Sequence, residues 1–190
     1  MAYDLKSVFY LDTSATISAS TSGVGSAQLD LSAYIDPIAR GRQKGTGLAV
    51  YKVHFHMQDD GANKPIDDAE EGTAQYGLIA GAGLGDIATS GSTSFAAGTF
   101  GNTNNLLIAS QQFFGPKSMV NNASTTPSMI TDGVMPSIQV PYVVVRDNVC
   151  LQYEVGAQFT NASTLSVRLE CAQIALDQAT LNQLLRTQTV

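Results

Sequence analysis

Apolar and polar side chains alternate along residues 48–58, and this alternation constrains the fold more than any other feature of the sequence. The odd positions and the even positions form separate faces, because a period of two residues is that of a β-strand. The apolar face holds Tyr51, Val53, Phe55 and Met57, and the polar face holds Lys52, His54, His56 and Gln58. We therefore predict an antiparallel strand with one side on a core and the other in solvent.

Similar strand patterns occur along most of the chain, and Gly-rich or Ser/Thr/Asn-rich loops separate them. Only the end is helical in pattern, with Asp177 as the N-cap of residues 178–186. The predicted strands are residues 7–20, 27–35, 48–58, 76–80, 95–100, 106–110, 137–145, 149–155 and 165–176. Residues 115–136 read as one long excursion. The sequence thus predicts a single all-β domain over residues 1–190, a jelly-roll β-sandwich or barrel with residues 177–190 as a C-terminal helical tail.

The last two predicted strands should form a hairpin through residues 156–163. Matching their apolar faces places Leu151 opposite Cys171 and Glu154 opposite Arg168, with Tyr153 facing Leu169. This register points Cys150 and Cys171 to opposite faces. We therefore expect both thiols to stay reduced, in keeping with synthesis in a cytosol.

Charged residues make up only 14% of the chain, against about 25% in an ordinary soluble domain. Hydroxyl and amide side chains fill the corresponding positions, and they cost less to bury than charges do. A polar but nearly uncharged surface favours a protein that packs against copies of itself. The net charge of −6 argues against a general nucleic-acid-binding face. The first residues show no signal peptide and no segment has the length of a membrane span, so we expect synthesis in the cytoplasm.

No arrangement of residues predicts catalysis, so we expect a protein that is not an enzyme and needs no cofactor. His54 and His56 share the polar face of a strand and are the weak candidates for metal ligands, with Asp59 or Asp60 as a third. Residues 77–86 lack the spacing of a dinucleotide loop, and the sequence has no G-x-S-x-G motif. Four carboxylates form a run that is typical of a solvated loop, namely Asp67, Asp68, Glu70 and Glu71.

Two groups of residues are candidates for contacts between subunits. The basic cluster in the loop of residues 39–47 is a solvated turn, or it contacts a negative patch on a neighbouring subunit or nucleic acid. The apolar stripe of the tail helix must dock on something. The candidates are Arg40, Arg42 and Lys44 in the cluster and Leu181, Leu184 and Leu185 in the stripe. We expect that removing the tail from Asp177 onward blocks assembly and leaves the barrel folded.

The order and style of residues 28–37, 48–57 and 141–148 carry a resemblance that extends over most of the chain. In this layout the sequence resembles the single jelly-roll capsid proteins of tailless icosahedral viruses, the sphaerolipovirus-like group. The resemblance implies a capsid subunit that self-assembles into an icosahedral shell and resides in the virion. It further implies a second capsid protein as partner and an internal membrane beneath the shell. Two other functions stay open: a tailed-phage decoration or tail-tube protein, and a carbohydrate-binding jelly-roll module.

Overall fold

The computed structural model describes residues 8–36, 44–60, 65–66, 70–81, 95, 98–115 and 129–188. Within these ranges the chain forms nine strands and one helix. The strands are β1 (Phe9–Ile17), β2 (Gly23–Asp30), β3 (Lys44–Asp59), β4 (Thr73–Ala80), β5 (Leu107–Phe114), β6 (Met129–Asp132), β7 (Tyr142–Val144), β8 (Asn148–Ala157) and β9 (Ser163–Asp177). Helix α1 (Gln178–Thr187) follows β9 directly.

The strands form two antiparallel sheets in the order of a jelly roll. The first sheet is β1-β9-β3-β7, and the second is β2-β8-β4-β5-β6. Without β6, which extends the edge of the second sheet, each sheet has four strands. The chain then changes sheet at every connection except the one from β4 to β5. This winding is the double Greek key of a jelly-roll sandwich, and it confirms the predicted fold class.

The core lies between the two sheets and is built from the inward residues of alternating strands. β9 shows the pattern most clearly, because Leu165, Val167, Leu169 and Cys171 are all buried while Arg168 between them is exposed. The second sheet supplies the opposite wall with Leu78, Ile108, Val149, Leu151 and Val155. Period-two alternation was therefore right about the inward face of β9. In β3 it was wrong for Tyr51: the register shifts between Val50 and Lys52, so Tyr51 leaves the face of Val53 and packs in the second cluster on the outer side of the sheet.

The predicted hairpin between the last two long strands is wrong. β8 lies in the second sheet between β2 and β4, whereas β9 lies in the first sheet between β1 and β3. Leu151 pairs with Ala27 and Leu78, and Cys171 pairs with Phe9 and Val50. Two strands that are each apolar on one face can bury those faces as neighbours in one sheet or from opposite sheets across a core. The alternation of apolar and polar residues in the sequence is identical in both arrangements. Both cysteines are buried and free.

Several predicted boundaries also differ from the structure. β2 ends at Asp30, because Asp30 accepts a hydrogen bond from the Ser32 amide and a turn follows. Residues 98–100 form a turn rather than a strand, with Gly98 at φ +91°, a backbone conformation that glycine adopts without strain. The excursion of residues 115–136 contains β6, which the sequence analysis missed. Its residues 116–128 lie outside the described part of the chain.

Candidate functional site

The outer face of the first sheet carries a groove of about 660 Å³ lined mainly by polar side chains, which we call the polar groove. It forms because β1, β9 and β3 lie side by side, so their outward residues stand in rows. Asp12 is opposite Arg168, which is in turn opposite His54 on β3. The lining residues are Tyr10, Asp12, His54, His56, Ser166, Val167, Arg168 and Glu170.

Side chains inside the polar groove contact one another. His54 Nε2 lies 2.8 Å from Glu170 Oε1, and the Arg168 guanidinium carbon lies 5.9 Å from the centre of the Tyr10 ring. The groove can therefore offer hydrogen bonds and an aromatic face to a polar partner. It contains no serine or cysteine nucleophile held by a histidine base, because Ser166 donates instead to the backbone carbonyl of His56.

Among the described residues, no third ligand completes a metal site with His54 and His56. His54 is engaged with Glu170, and Asp60 accepts a hydrogen bond from the Thr164 hydroxyl. Asp59 is buried, whereas His54 and His56 are exposed. No group of three metal-ligating side chains occurs within the part of the chain that the structure describes.

Helix α1 packs against the other half of the same outer face. Asp177 Oδ1 accepts a hydrogen bond from the Thr180 amide at 2.8 Å and caps the helix. Gln188 closes the far end, because its amide nitrogen donates to the Val143 carbonyl and its oxygen accepts from the Val145 amide. The helix covers a second apolar cluster of Ala49, Tyr51, Val145, Ala172, Ile174, Leu176 and Leu181.

The residues predicted to contact other subunits differ from one another in their exposure in the structure. Leu181 is fully buried within the subunit, so its side chain does not reach a neighbour, and the sheet itself supplies the partner that the stripe requires. Leu184 and Leu185 are half-buried at the edge of the same cluster. Lys44 is exposed at the start of β3, directly across from Asp177 in the register. Arg40 and Arg42 lie outside the described residues.

Glu70 does not belong to a solvated loop as the acidic run suggested. Its side chain is only 2% exposed, and its carboxylate accepts hydrogen bonds from the amides of Glu71, Gly72 and Thr160 at 2.8–3.0 Å. This arrangement joins two loops of the sandwich and is structural. Asp67 and Asp68 lie outside the described residues.

Among the described residues, exposed large apolar side chains concentrate in residues 129–140, although Val8 and Tyr10 are also exposed. The sequence analysis placed residues 137–140 in the strand predicted at 137–145, but the structure has a strand only over β7 there. Met129 and Ile130 project from β6, and Ile138 and Val140 project from the loop that follows. Ile138 is 72% exposed and Val140 is 74% exposed. The sequence signal was present in the pair of prolines, Pro136 and Pro141, which flank Ile138 and Val140 and disfavour a central strand.

In the described ranges, no helix is both long and apolar enough to cross a membrane. No protein-family model matches the chain, and no curated protein matches it. Among solved structures, the chain is similar to one from Desmodium yellow mottle tymovirus, with 10% identity and a TM-score of 0.30. The match covers 92% of this chain and 91% of that one. At this TM-score the likeness carries no argument, so the fold assignment rests on the strand order.

Proposed function

We propose that this protein is a structural subunit of a virus shell that assembles with copies of itself. One observation carries the proposal: large apolar side chains stand in solvent along residues 129–140, in β6 at the edge of the second sheet and in the loop that leads to β7 at the edge of the first. Large apolar side chains that remain exposed favour contact with another protein surface. A subunit in a shell has such surfaces covered by its neighbours.

The low charge of the chain supports the same function. Only 14% of the residues are charged, and loops rich in hydroxyl and amide groups can be buried without desolvating ions. Each contact between subunits can then be weak, because many repeated contacts stabilise a closed shell together. We propose in addition an icosahedral shell with a second capsid protein and an internal membrane, as the resemblance to the sphaerolipovirus-like group implies.

Sedimentation velocity at increasing ionic strength tests the shell function. Screening shortens the Debye length from about 10 Å at 0.1 M salt to about 3 Å at 1 M, which weakens contacts between exposed charges and spares apolar ones. We expect an assembled fraction that persists over this range of salt. A chain that sediments as a monomer or dimer at every salt and protein concentration would contradict the proposal.

A glycan-binding function is the second candidate, and the polar groove favours it. Tyr10 presents an aromatic ring, and His54, His56 and Asp12 stand around it with hydrogen-bonding groups. Such a module would stay a discrete small oligomer and bind a glycan array, and Tyr10→Ala would abolish that binding. The other alternative, a tailed-phage tube or decoration protein, would give stacked rings or trimers instead of shells.

A further inference from the structure

Residues 137–140 form a compact, protruding turn with two apolar side chains at its tip, which we call the apolar turn. The Ser137 amide donates to the Val140 carbonyl at 3.1 Å, and the Val140 amide donates to the Ser137 hydroxyl at 3.2 Å. Pro136 and Pro141 flank the turn and restrict its backbone. Ile138 and Val140 are thus held outward by hydrogen bonds, and little conformational freedom remains to be lost on docking.

A second feature, the apolar groove, opens between the two sheets and has a volume of about 390 Å³. Its shape is fixed by two contacts. The rings of Phe55 and Tyr76 meet edge to face at 5.2 Å, and the Tyr76 hydroxyl donates to Gln111 Oε1 at 2.8 Å. The apolar lining comprises Phe55, Met57, Pro65, Ile66, Tyr76, Phe113 and Ile130.

The two features match in charge. Residues 134–145, which include the apolar turn, contain no Asp, Glu, Lys or Arg. Among the described residues that line the apolar groove, none is of these four types either. Contact would therefore place no charged side chain of the described lining against the apolar turn. The carboxylate beside the groove, Asp132, already accepts a hydrogen bond from Gln111 at 2.7 Å.

One copy of the chain cannot fill its own groove. Tyr142, two residues after the apolar turn, donates from its hydroxyl to the Asn105 carbonyl at one end of β5. The groove lies toward the other end of that strand, at Gln111 and Phe113. Asn105 precedes β5 by two residues, and within the strand Gln111 and Phe113 lie four and six residues beyond Leu107, about 13–20 Å at about 3.3 Å per residue.

We propose that the apolar turn of one copy docks into the apolar groove of a second copy. Because the two surfaces differ and lie apart on each copy, the contact is heterologous and repeats head to tail, giving a ring where the rotation closes. Ile138 and Val140 are the side chains that enter the groove. This inference rests on the proposed shell function and identifies the contact that serves it.

The test uses two single substitutions with matched controls. Ile138→Asp places a charge on the apolar turn, and Ile130→Asp places one on the exposed rim of the groove. Gln139→Asp and Thr131→Asp add the same charge at the adjacent exposed positions. We expect each of the first two to weaken self-association about 10- to 100-fold, as loss of a central contact does, and each control to change it less than about threefold.

Mixing the two defective chains gives the decisive result. Ile138→Asp keeps an intact groove and Ile130→Asp keeps an intact turn, so an equimolar mixture should form one-to-one heterodimers although each alone stays monomeric. Sedimentation velocity with one chain fluorescently labelled detects this species. If both variants assemble like the wild type, or if the mixture stays monomeric, the turn-and-groove contact is wrong while a wild-type shell would still stand. A wild-type chain that does not assemble contradicts the shell function itself.

Discussion

At the scale of single residues, the carboxylate of Glu70 shows how one buried charge can hold two loops together. Three backbone amides donate to it, and the Thr160 hydroxyl approaches it at 3.4 Å. The sequence presented Glu70 as one of four neighbouring carboxylates, and nothing in that run distinguishes the buried member. Its role depends on Thr160, which is 90 positions away and could not be predicted from local pattern.

We expect Glu70→Gln to destabilise the fold by about 1.5–3 kcal/mol, because a buried carboxylate that accepts several amide hydrogen bonds is replaced by a neutral group with one acceptor oxygen. Urea unfolding followed by circular dichroism measures this loss. Glu71→Gln is the control, since Glu71 is exposed and one residue away. Equal unfolding midpoints for the two variants would show that the hydrogen bonds to the Glu70 carboxylate contribute nothing to stability.

The two thiols give a second residue-scale prediction. Burial raises the pKa of Cys171 to about 12 and also raises the pKa of Cys150, although hydrogen bonds with Ser26 and Gln152 oppose that rise. An unfolded chain releases thiol protons near pH 8.5. The stability is therefore complete below that pH and falls as the pH rises toward the folded-state pKa, because only the unfolded chain ionises.

Urea midpoints at about pH 8 and about pH 9.5 should show this fall, and Cys171→Ala should reduce the difference between them. Both thiols should also resist a thiol reagent in the native protein and react at once in denaturant. Rapid labelling of the native chain would contradict their burial.

At the scale of elements, helix α1 is part of the folded subunit rather than a detachable arm. It covers the outer face of the first sheet through Leu181, and Gln188 ties its end to β7 and the residue after it. Removal of residues 177–190 would expose Ala49, Tyr51, Ala172 and Ile174. The expected separation of assembly from folding in a tail deletion is therefore a poor test, and point substitutions serve better.

Leu181→Ala should cost about 2–5 kcal/mol of unfolding free energy, the range for removing a large buried side chain from a packed site. Leu184→Ala at the half-buried edge of the same cluster should cost clearly less. Chemical unfolding of both variants measures the difference. If the two substitutions have equal effects, the helix does not dock through Leu181.

Strand pairing marks the limit of prediction at this scale. Period two identified the inward faces of β8 and β9, because it reports the face of each strand directly. It misplaced Tyr51 in β3, because a bulge between Val50 and Lys52 changes the alternation there. It did not identify neighbours: β8 and β9 were expected to pair, yet they face each other across the core. The polar groove shows the same limit. The sequence placed His54 on the outer face, but its partner Glu170 comes from a strand 116 positions away and could not be identified.

At the scale of the whole molecule, the composition and the surface indicate the same function. The chain is short of charge throughout, and the fold leaves its exposed apolar residues concentrated along residues 129–140. Composition suggests the proposed contact with copies of the same chain, because it reflects the average surface. It could not place that contact, which depends on how β6 and the apolar turn lie against the sandwich.

Negative-stain electron microscopy of the purified protein, with light scattering on the same sample, tests the shell function most directly. We predict closed particles or flat arrays of repeating capsomers that disappear with Ile138→Asp and persist with Gln139→Asp. Stacked rings would indicate a tube protein instead. A uniform field of monomers or dimers in every condition would contradict the central claim.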